Sequence, residues 1–261
     1  MIEFFNIYLP KSKREVKIEV SAPRYKNNIT FDTIYFLDGQ NAFNDGRSSF
    51  GRSIRATKHI SFAAREMNRR IIGVAVYNSG SEMGRINEYT PFKIDNAAQK
   101  VWEHHEPKIC EDYCDDFVNT IIPFIEKRYK TSGNRSIYGS SLGGLTALYM
   151  GFKYQNVFTN IGAFSTASFL CEKKLLDFIK NSNTENKNVF LYVGKNECSD
   201  DIYDKELYMK ASLNIHKLLK EKNVNTRLVI DANGIHNEAT WDKHFLEFIN
   251  FINSSDIFYT Y

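Results

Sequence analysis

One serine in the 261-residue chain lies in a setting typical of a nucleophile. Ser141 is the centre of Gly139-Ser140-Ser141-Leu142-Gly143, a G-x-S-x-G pattern between a predicted strand and a predicted helix. Glycines two residues away on either side allow a sharp turn that lifts the serine hydroxyl above the sheet. The N–H of Leu142, at the start of the helix, would then point toward an oxyanion formed there. An ordinary glycine-rich turn is the alternative interpretation, and a phosphate-binding loop is disfavoured because no Lys-Ser/Thr pair follows.

A serine hydroxyl needs a base to accept its proton and an acid to orient that base. His236 falls in a loop between a predicted late strand and the final predicted helix, which is the position expected of the base. Glu197 is the first carboxylate after another predicted strand. Three further candidates for the acid share its loop: Asp200, Asp201 and Asp204. The chain order serine, acid, histidine is that of α/β-hydrolases, so it favours Ser141 as the nucleophile and His236 as the base, with Glu197 as the first of the four candidate acids.

The elements that must position these residues alternate between strands and helices. Apolar runs bounded by turn residues predict eight strands: Glu3–Leu9, Val16–Val20, Thr33–Leu37, Ile71–Tyr77, Arg135–Tyr138, Asn160–Phe164, Val189–Val193 and Thr226–Ile230. Helical spacing predicts helices near 54–67, 110–129, 142–153, 172–181, 205–222 and 239–253. This alternation predicts an α/β fold with a mostly parallel central sheet, helices on both faces, and the first two strands as an antiparallel hairpin at one edge. The candidate residues follow strand ends, where open α/β sheets bind ligands.

Composition and charge exclude several classes of protein. The chain carries 34 basic and 31 acidic residues in a mixed order, which disfavours nucleic-acid binding. No apolar run approaches the length of a membrane span and no signal peptide is evident, so we expect a soluble, cytoplasmic protein. With neither repeat nor linker, residues 1–261 are expected to form a single domain. The cysteines are predicted to be buried or inert thiols rather than metal ligands: Cys110, Cys114, Cys171 and Cys198.

Aromatic residues make up 14% of the chain, and some of them are candidates for a substrate cleft. The segment Asn78–Lys108 has no clear periodicity, and irregular segments of that length are often functional loops. We expect this segment and the strand-end loops to supply an aromatic wall for an apolar or aromatic acyl group. The expected wall consists of Phe43, Phe50, Tyr77, Tyr89, Phe92, Trp102, Phe164 and Trp241.

Five segments, in this order, carry a resemblance to a known family. They are Tyr35-Phe36-Leu37-Asp38-Gly39-Gln40-Asn41-Ala42-Phe43, the stretch Arg85 to Pro91, the Ser141 turn, Gly194-Lys195-Asn196-Glu197, and His236-Asn237-Glu238-Ala239-Thr240-Trp241. From about Thr33 to Phe251 the chain resembles the putative esterase family of α/β-hydrolases. That family includes enterochelin esterase-like trilactone hydrolases, feruloyl esterases, the esterase D group and mycolyltransferases.

The resemblance implies a triad of Ser141, Glu197 and His236 in a serine esterase that works through an acyl-enzyme on a small-molecule ester, without metal or organic cofactor. It implies that the N–H of Gln40 joins that of Leu142 in the oxyanion hole. Tyr89 and Trp241 are expected to contact the substrate, although a packed structural turn is the alternative for Tyr89. An acyltransferase with the same triad and a catalytically silent binding module are the alternative functions. The identity of the ester and any association into homo-oligomers stay open.

Overall fold

Eight strands form one sheet in the computed structural model of the chain, which describes residues 2–23, 29–94, 104–197 and 206–253. The strands are β1 Ile2–Leu9, β2 Arg14–Ser21, β3 Phe31–Phe36, β4 Ile71–Val76, β5 Thr131–Ser140, β6 Asn160–Phe164, β7 Asn188–Asn196 and β8 Asn225–Ile235. All eight predicted strands are confirmed. The last one is longer than predicted, because it continues from Ile230 to Ile235 and so carries the chain directly to His236.

The strand order in the sheet is β1-β2-β4-β3-β5-β6-β7-β8. β2 pairs antiparallel with β1 and with β4, whereas every pair from β4 to β8 is parallel. The prediction of a mostly parallel sheet with an antiparallel hairpin at one edge is therefore confirmed. The carboxyl ends of β3, β5, β6, β7 and β8 lie at the same edge of the sheet, where the candidate residues follow them.

Helices cover both faces of the sheet, as predicted. They are α1 Ala56–Glu66, α2 Glu82–Tyr89, α3 Pro107–Asp116, α4 Ile122–Glu126, α5 Leu142–Lys153, α6 Glu172–Asn181, α7 Glu206–Glu221 and α8 Glu238–Asn253. Side chains of α1 and α8 pack in one hydrophobic core, and those of α3 to α7 pack in the core on the opposite face. Within the described ranges, no helix combines the length and the apolar character that a membrane span needs.

The segment expected to be irregular contains helix α2. Ser81 caps its first turn by accepting a hydrogen bond from the Gly84 N–H at 3.2 Å, and Ile86 and Tyr89 are its buried apolar side chains. Two buried apolar positions in eight residues, with Met83 exposed, give too short a pattern to reveal a helical period. The helix directs Arg85 and Tyr89 toward the loop that follows β3.

Three of the four cysteines lie in the described residues, and all three are buried free thiols, as predicted. Cys110 and Cys114 lie one turn apart on α3 with their sulfur atoms 3.9 Å from each other. Burial raises the pKa of the Cys110 thiol well above its usual value, which favours the unreactive protonated form. Cys198 lies outside the described residues.

Candidate active site

Ser141 occupies the turn between β5 and α5 in a strained conformation. Its φ of 58° and ψ of −125° are rare for a residue with a side chain, and such conformations concentrate at functional sites. The turn is fixed to the neighbouring strand because the Ser141 N–H donates to the Phe164 carbonyl at 2.9 Å. A side chain at Gly139 would come within 2.1 Å of the Gly143 carbonyl oxygen, so this crossing requires glycine.

A cavity of about 170 Å³ opens beside Ser141. Its apolar and aromatic lining residues are Ile86, Leu142, Ala167, Phe169, Leu170 and Tyr208. Two charged side chains, those of Glu82 and Arg85, also line it. A small apolar cavity next to a nucleophile can hold the acyl part of an ester while the carbonyl lies at the serine.

Glu197 and His236 form a hydrogen-bonded pair. The Nδ1 atom of His236 lies 2.7 Å from Oε2 of Glu197, which is 2% exposed at the end of β7. Because an ionised carboxylate only accepts hydrogen bonds, Nδ1 is the donor and Nε2 is left as the nitrogen that can take up a proton. Oε1 of Glu197 accepts from the Gly194 N–H at 2.5 Å and from the Ser165 hydroxyl at 2.6 Å.

Ser165 belongs to this arrangement, although the sequence analysis did not identify it. It follows β6 directly with a φ of 44°, and its hydroxyl accepts from the indole Nε1 of Trp241 at 2.8 Å while donating to Glu197. Its position at the carboxyl end of a parallel strand was the one sequence signal that could have found it. Trp241 itself is 3% exposed, with its ring 5.1 Å from the His236 ring. The structure therefore places Trp241 behind the histidine and in contact with it.

Tyr208, near the start of α7, is a second residue that the sequence analysis missed. Its ring centroid lies 4.8 Å from that of His236, and the same side chain lines the cavity beside Ser141. Tyr208 thus connects the cavity with the histidine. A tyrosine on a helical face has no sequence signal that separates this role from ordinary packing.

Gln40 lies in a short 3-10 turn, Gly39–Asn41, that follows β3. A side chain at Gly39 would come within 2.4 Å of the Ala75 backbone, so the turn is seated directly on β4. A Cβ atom added at Gly143 would lie 3.3 Å from Oδ2 of Asp38, which shows how closely the turn after β3 approaches the start of α5. Within the described residues, the N–H groups of Gln40 and Leu142 have no acceptor. Two free N–H groups on adjoining turns are what an oxyanion hole requires.

Asp38 anchors this turn from its first residue. Its carboxylate accepts from Nε and Nη2 of Arg85, at 2.8 and 2.7 Å, and from the Asn78 amide at 2.6 Å. Its N–H donates to the hydroxyl of Tyr89 at 2.8 Å. Tyr89 is fully buried, so the structure places it beneath the turn after β3, where it supports the Asp38 backbone.

Asn41 anchors the last residue of the turn. Its Nδ2 donates to Oε1 of Glu238 at 3.0 Å, and Glu238 is the first residue of α8, 5% exposed. Burial, with a smaller contribution from the nearby charge of Asp38, raises the pKa of Glu238 to about 7, although a hydrogen bond from its own backbone N–H and the charge of Arg85 oppose the rise. A carboxyl group that titrates near neutral pH therefore lies between the turn and the histidine loop.

The described members of the expected aromatic wall do not line this cavity. Of the described residues, the aromatic side chains that line the cavity are Phe169 and Tyr208. Phe164 is instead stacked in the core between Phe190 and Tyr192, and Phe50 is 74% exposed. Trp102 lies outside the described residues, as do three candidate acids: Asp200, Asp201 and Asp204. Aromatic residues at strand ends pack mainly between sheet and helices, because that is where the most apolar area can be buried.

Comparison with known proteins identifies the family. The chain is 23% identical over 214 residues to the uncharacterized protein YbbA of Bacillus subtilis (strain 168), covering 80% of this chain and 82% of YbbA. An IroE-like serine hydrolase from Shewanella oneidensis aligns with a TM-score of 0.77 at 16% identity, over 97% of this chain and 79% of that protein. The enterobactin esterase FES from Shigella flexneri aligns with a TM-score of 0.73 at 15% identity, over 98% of this chain but only 59% of its own length. The family model described as "Putative esterase" matches residues 10–252, so the chain belongs to that family, on an α/β-hydrolase fold.

Proposed function

We propose that this protein hydrolyses a carboxylic ester through an acyl-enzyme formed on Ser141. Membership of the esterase family supports a serine hydrolase. The observation that carries the finer proposal is the 2.7 Å hydrogen bond between His236 and Glu197, formed at the same sheet edge as the strained Ser141 turn. A nucleophile turn and a correctly ordered base and acid are the parts that acyl transfer needs.

In the proposed mechanism, Oγ of Ser141 attacks the ester carbonyl carbon while Nε2 of His236 takes the hydroxyl proton. The tetrahedral intermediate collapses, the bond to the leaving alcohol breaks, and His236 returns the proton to that alcohol. Water then attacks the acyl-enzyme with His236 again as base, and the carboxylic acid leaves as Ser141 regains its proton. Glu197 fixes the tautomer of His236 and stabilises the imidazolium that forms in each step.

The N–H groups of Gln40 and Leu142 are the proposed oxyanion donors. Both are free, and the turns that carry them adjoin each other. Fixed donors aimed at a developing negative charge lower the barrier because they need no reorganisation during the reaction. The apolar cavity beside Ser141 is the proposed acyl site, with Phe169 and Tyr208 as its aromatic surface.

The triad proposal is tested by replacing Ser141 with alanine. We expect Ser141→Ala to lower kcat for a short p-nitrophenyl ester by several powers of ten, since the oxyanion donors alone leave only residual catalysis. Ser140→Ala, one residue away in the same turn, is the matched control and should keep the wild-type rate. A fluorophosphonate should label the wild type and Ser140→Ala but not Ser141→Ala.

Wild-type hydrolysis by Ser141→Ala would contradict the proposal, and a wild-type protein that neither hydrolyses esters nor reacts with the fluorophosphonate would indicate a silent binding module. The substrate class is then addressed with acetyl, butyryl, feruloyl and siderophore lactone esters. The last of these is included because one structural relative is an enterobactin esterase. A cavity of about 170 Å³ predicts a preference for compact acyl groups over long chains.

A further inference from the structure

Glu238 is a buried acid at the junction of two loops that the reaction uses. It is the first residue of α8 and stands two residues after His236. Its carboxylate faces the turn after β3, where Asn41 Nδ2 donates to it at 3.0 Å. Glu238 and Asn41 are 197 residues apart in sequence, so this bond is a tertiary contact between the histidine loop and the oxyanion turn.

Asn41 transmits this contact to the backbone around Gln40. While its Nδ2 binds Glu238, its Oδ1 accepts from the Ser49 N–H at 3.0 Å, and its own N–H donates to the Asp38 carbonyl at 2.9 Å. Gln40 is preceded by Asp38 and Gly39 and followed by Asn41. The carboxylate of Asp38 is held by Arg85. The direction of the Gln40 N–H is therefore set by anchors on both sides.

We propose, resting on the function proposed above, that Glu238 is a positioning residue that acts through Asn41 to hold the Gln40 N–H in place relative to His236. The carboxylate of Glu238 holds Asn41, the last residue of the turn that carries Gln40. Because Glu238 is at the start of α8, this bond also ties that turn to the loop that carries His236. The base and the oxyanion donor then keep one geometry, which catalysis requires to within a fraction of an ångström.

The electrostatic surroundings of Glu238 are consistent with a role that costs stability. The charged groups acting on it are Asp38, which is repulsive, and Arg85, which is committed to Asp38 by two hydrogen bonds. Its hydrogen-bond donors are neutral groups, the side-chain amide of Asn41 and its own backbone N–H. A buried acid with neither a dedicated counter-ion nor full solvation is unfavourable for folding, and such groups are found where function demands them.

The test is a double-mutant cycle of Glu238→Ala, Asn41→Ala and the combination of both, measured as kcat and KM on a p-nitrophenyl ester. We expect each single variant to lower kcat about tenfold to a hundredfold with KM little changed, because complete loss of one oxyanion donor costs roughly 100- to 1,000-fold. The double variant should be no worse than the poorer single variant, since both remove the same bond. Glu238→Gln should retain most of kcat, because its amide oxygen can still accept from Asn41.

Asp242→Asn is the matched control. Asp242 lies one turn further along α8 and binds Arg52 and His59, each at 2.6 Å, so its replacement loosens α8 without touching the Gln40 turn. We expect it to lower the melting temperature while leaving kcat unchanged. Melting curves for all variants separate loss of folding from loss of positioning.

Two results would overturn the inference: full kcat in Glu238→Ala with only a lower melting temperature, or additive losses in the cycle. Either result would leave the triad proposal intact, since that stands on Ser141→Ala. Conversely, hydrolysis that survives Ser141→Ala would remove the function on which the inference rests, whatever the cycle gives.

Discussion

Glu197, the proposed triad acid, accepts hydrogen bonds on both carboxylate oxygens. His236 Nδ1 is on one oxygen, and the Gly194 N–H and the Ser165 hydroxyl are on the other. The Ser165 hydroxyl is itself held by Trp241. A carboxylate with three donors stays in one orientation, which is what the base needs from its partner.

We predict that Glu197→Gln lowers kcat by about 10³- to 10⁴-fold, because an amide in place of the acid can force the wrong histidine tautomer. Matched substitutions in the same loop, Asp200→Asn, Asp201→Asn and Asp204→Asn, should each stay within a few-fold of the wild type. The measurement is steady-state hydrolysis of a p-nitrophenyl ester. A larger loss in any of the aspartate variants would move the acid to that residue.

At the scale of elements, the β5 to α5 turn shows why one glycine is required and another is tolerant. The missing side chain at Gly139 makes room for the Gly143 carbonyl, since a Cβ would lie 2.1 Å from that oxygen. At Gly143 the nearest atom to an added Cβ is a side-chain oxygen of Asp38 at 3.3 Å. The backbone cannot retreat in the first case, whereas a side chain can shift slightly in the second.

We therefore predict that Gly139→Ala lowers the free energy of unfolding by about 1–3 kcal/mol or more, the range for overpacked sites. Gly143→Ala should cost less, because an alanine in a helix also gains about 1 kcal/mol of helix propensity over glycine. Chemical denaturation of both variants measures the difference. Equal losses would show that the turn moves as a unit and that the crossing at Gly139 is not the constraint.

At the scale of the whole molecule, the two ends of the parallel strands carry different kinds of side chain. Catalytic candidates follow the carboxyl ends of the strands, while the opposite edge carries a ladder of asparagines from Asn134 on β5 to Asn225 on β8. Asn188 donates to Asn160 at 2.9 Å and accepts from Asn225 at 2.7 Å, and Asn160 donates to Asn134 at 3.1 Å. These amides join four parallel strands at the edge away from the proposed chemistry.

We predict that Asn188→Ala lowers the free energy of unfolding by about 1–3 kcal/mol, since it leaves a buried acceptor of Asn160 without its partner. Its kcat should equal that of the wild type, because the ladder is far along the sheet from Ser141. Asn183→Ala, at an exposed position, is the control and should change neither quantity. A fall in kcat for folded Asn188→Ala would show that the two edges are coupled.

The sequence by itself determined the strands, their alternation with helices, and the candidates Ser141, Glu197 and His236. Each of these has a local signal: apolar runs bounded by turns, a glycine pattern around a serine, or a polar residue just after a strand. The sequence did not reveal α2, whose two buried apolar positions are too few to show a period. It also did not single out Phe169 and Tyr208, which line the cavity, because an aromatic residue type does not distinguish packing in the core from lining a cavity.

The tertiary structure alone decided which side chains support the candidates. Ser165 and Glu197 are 32 residues apart, Asp38 and Arg85 are 47 apart, and Asn41 and Glu238 are 197 apart. A hydrogen bond between distant segments depends on how strands are ordered in the sheet, and no pattern within either segment encodes that order. Tyr89 and Trp241 illustrate the same point, because only burial and partners place them beneath the turn after β3 and behind the histidine.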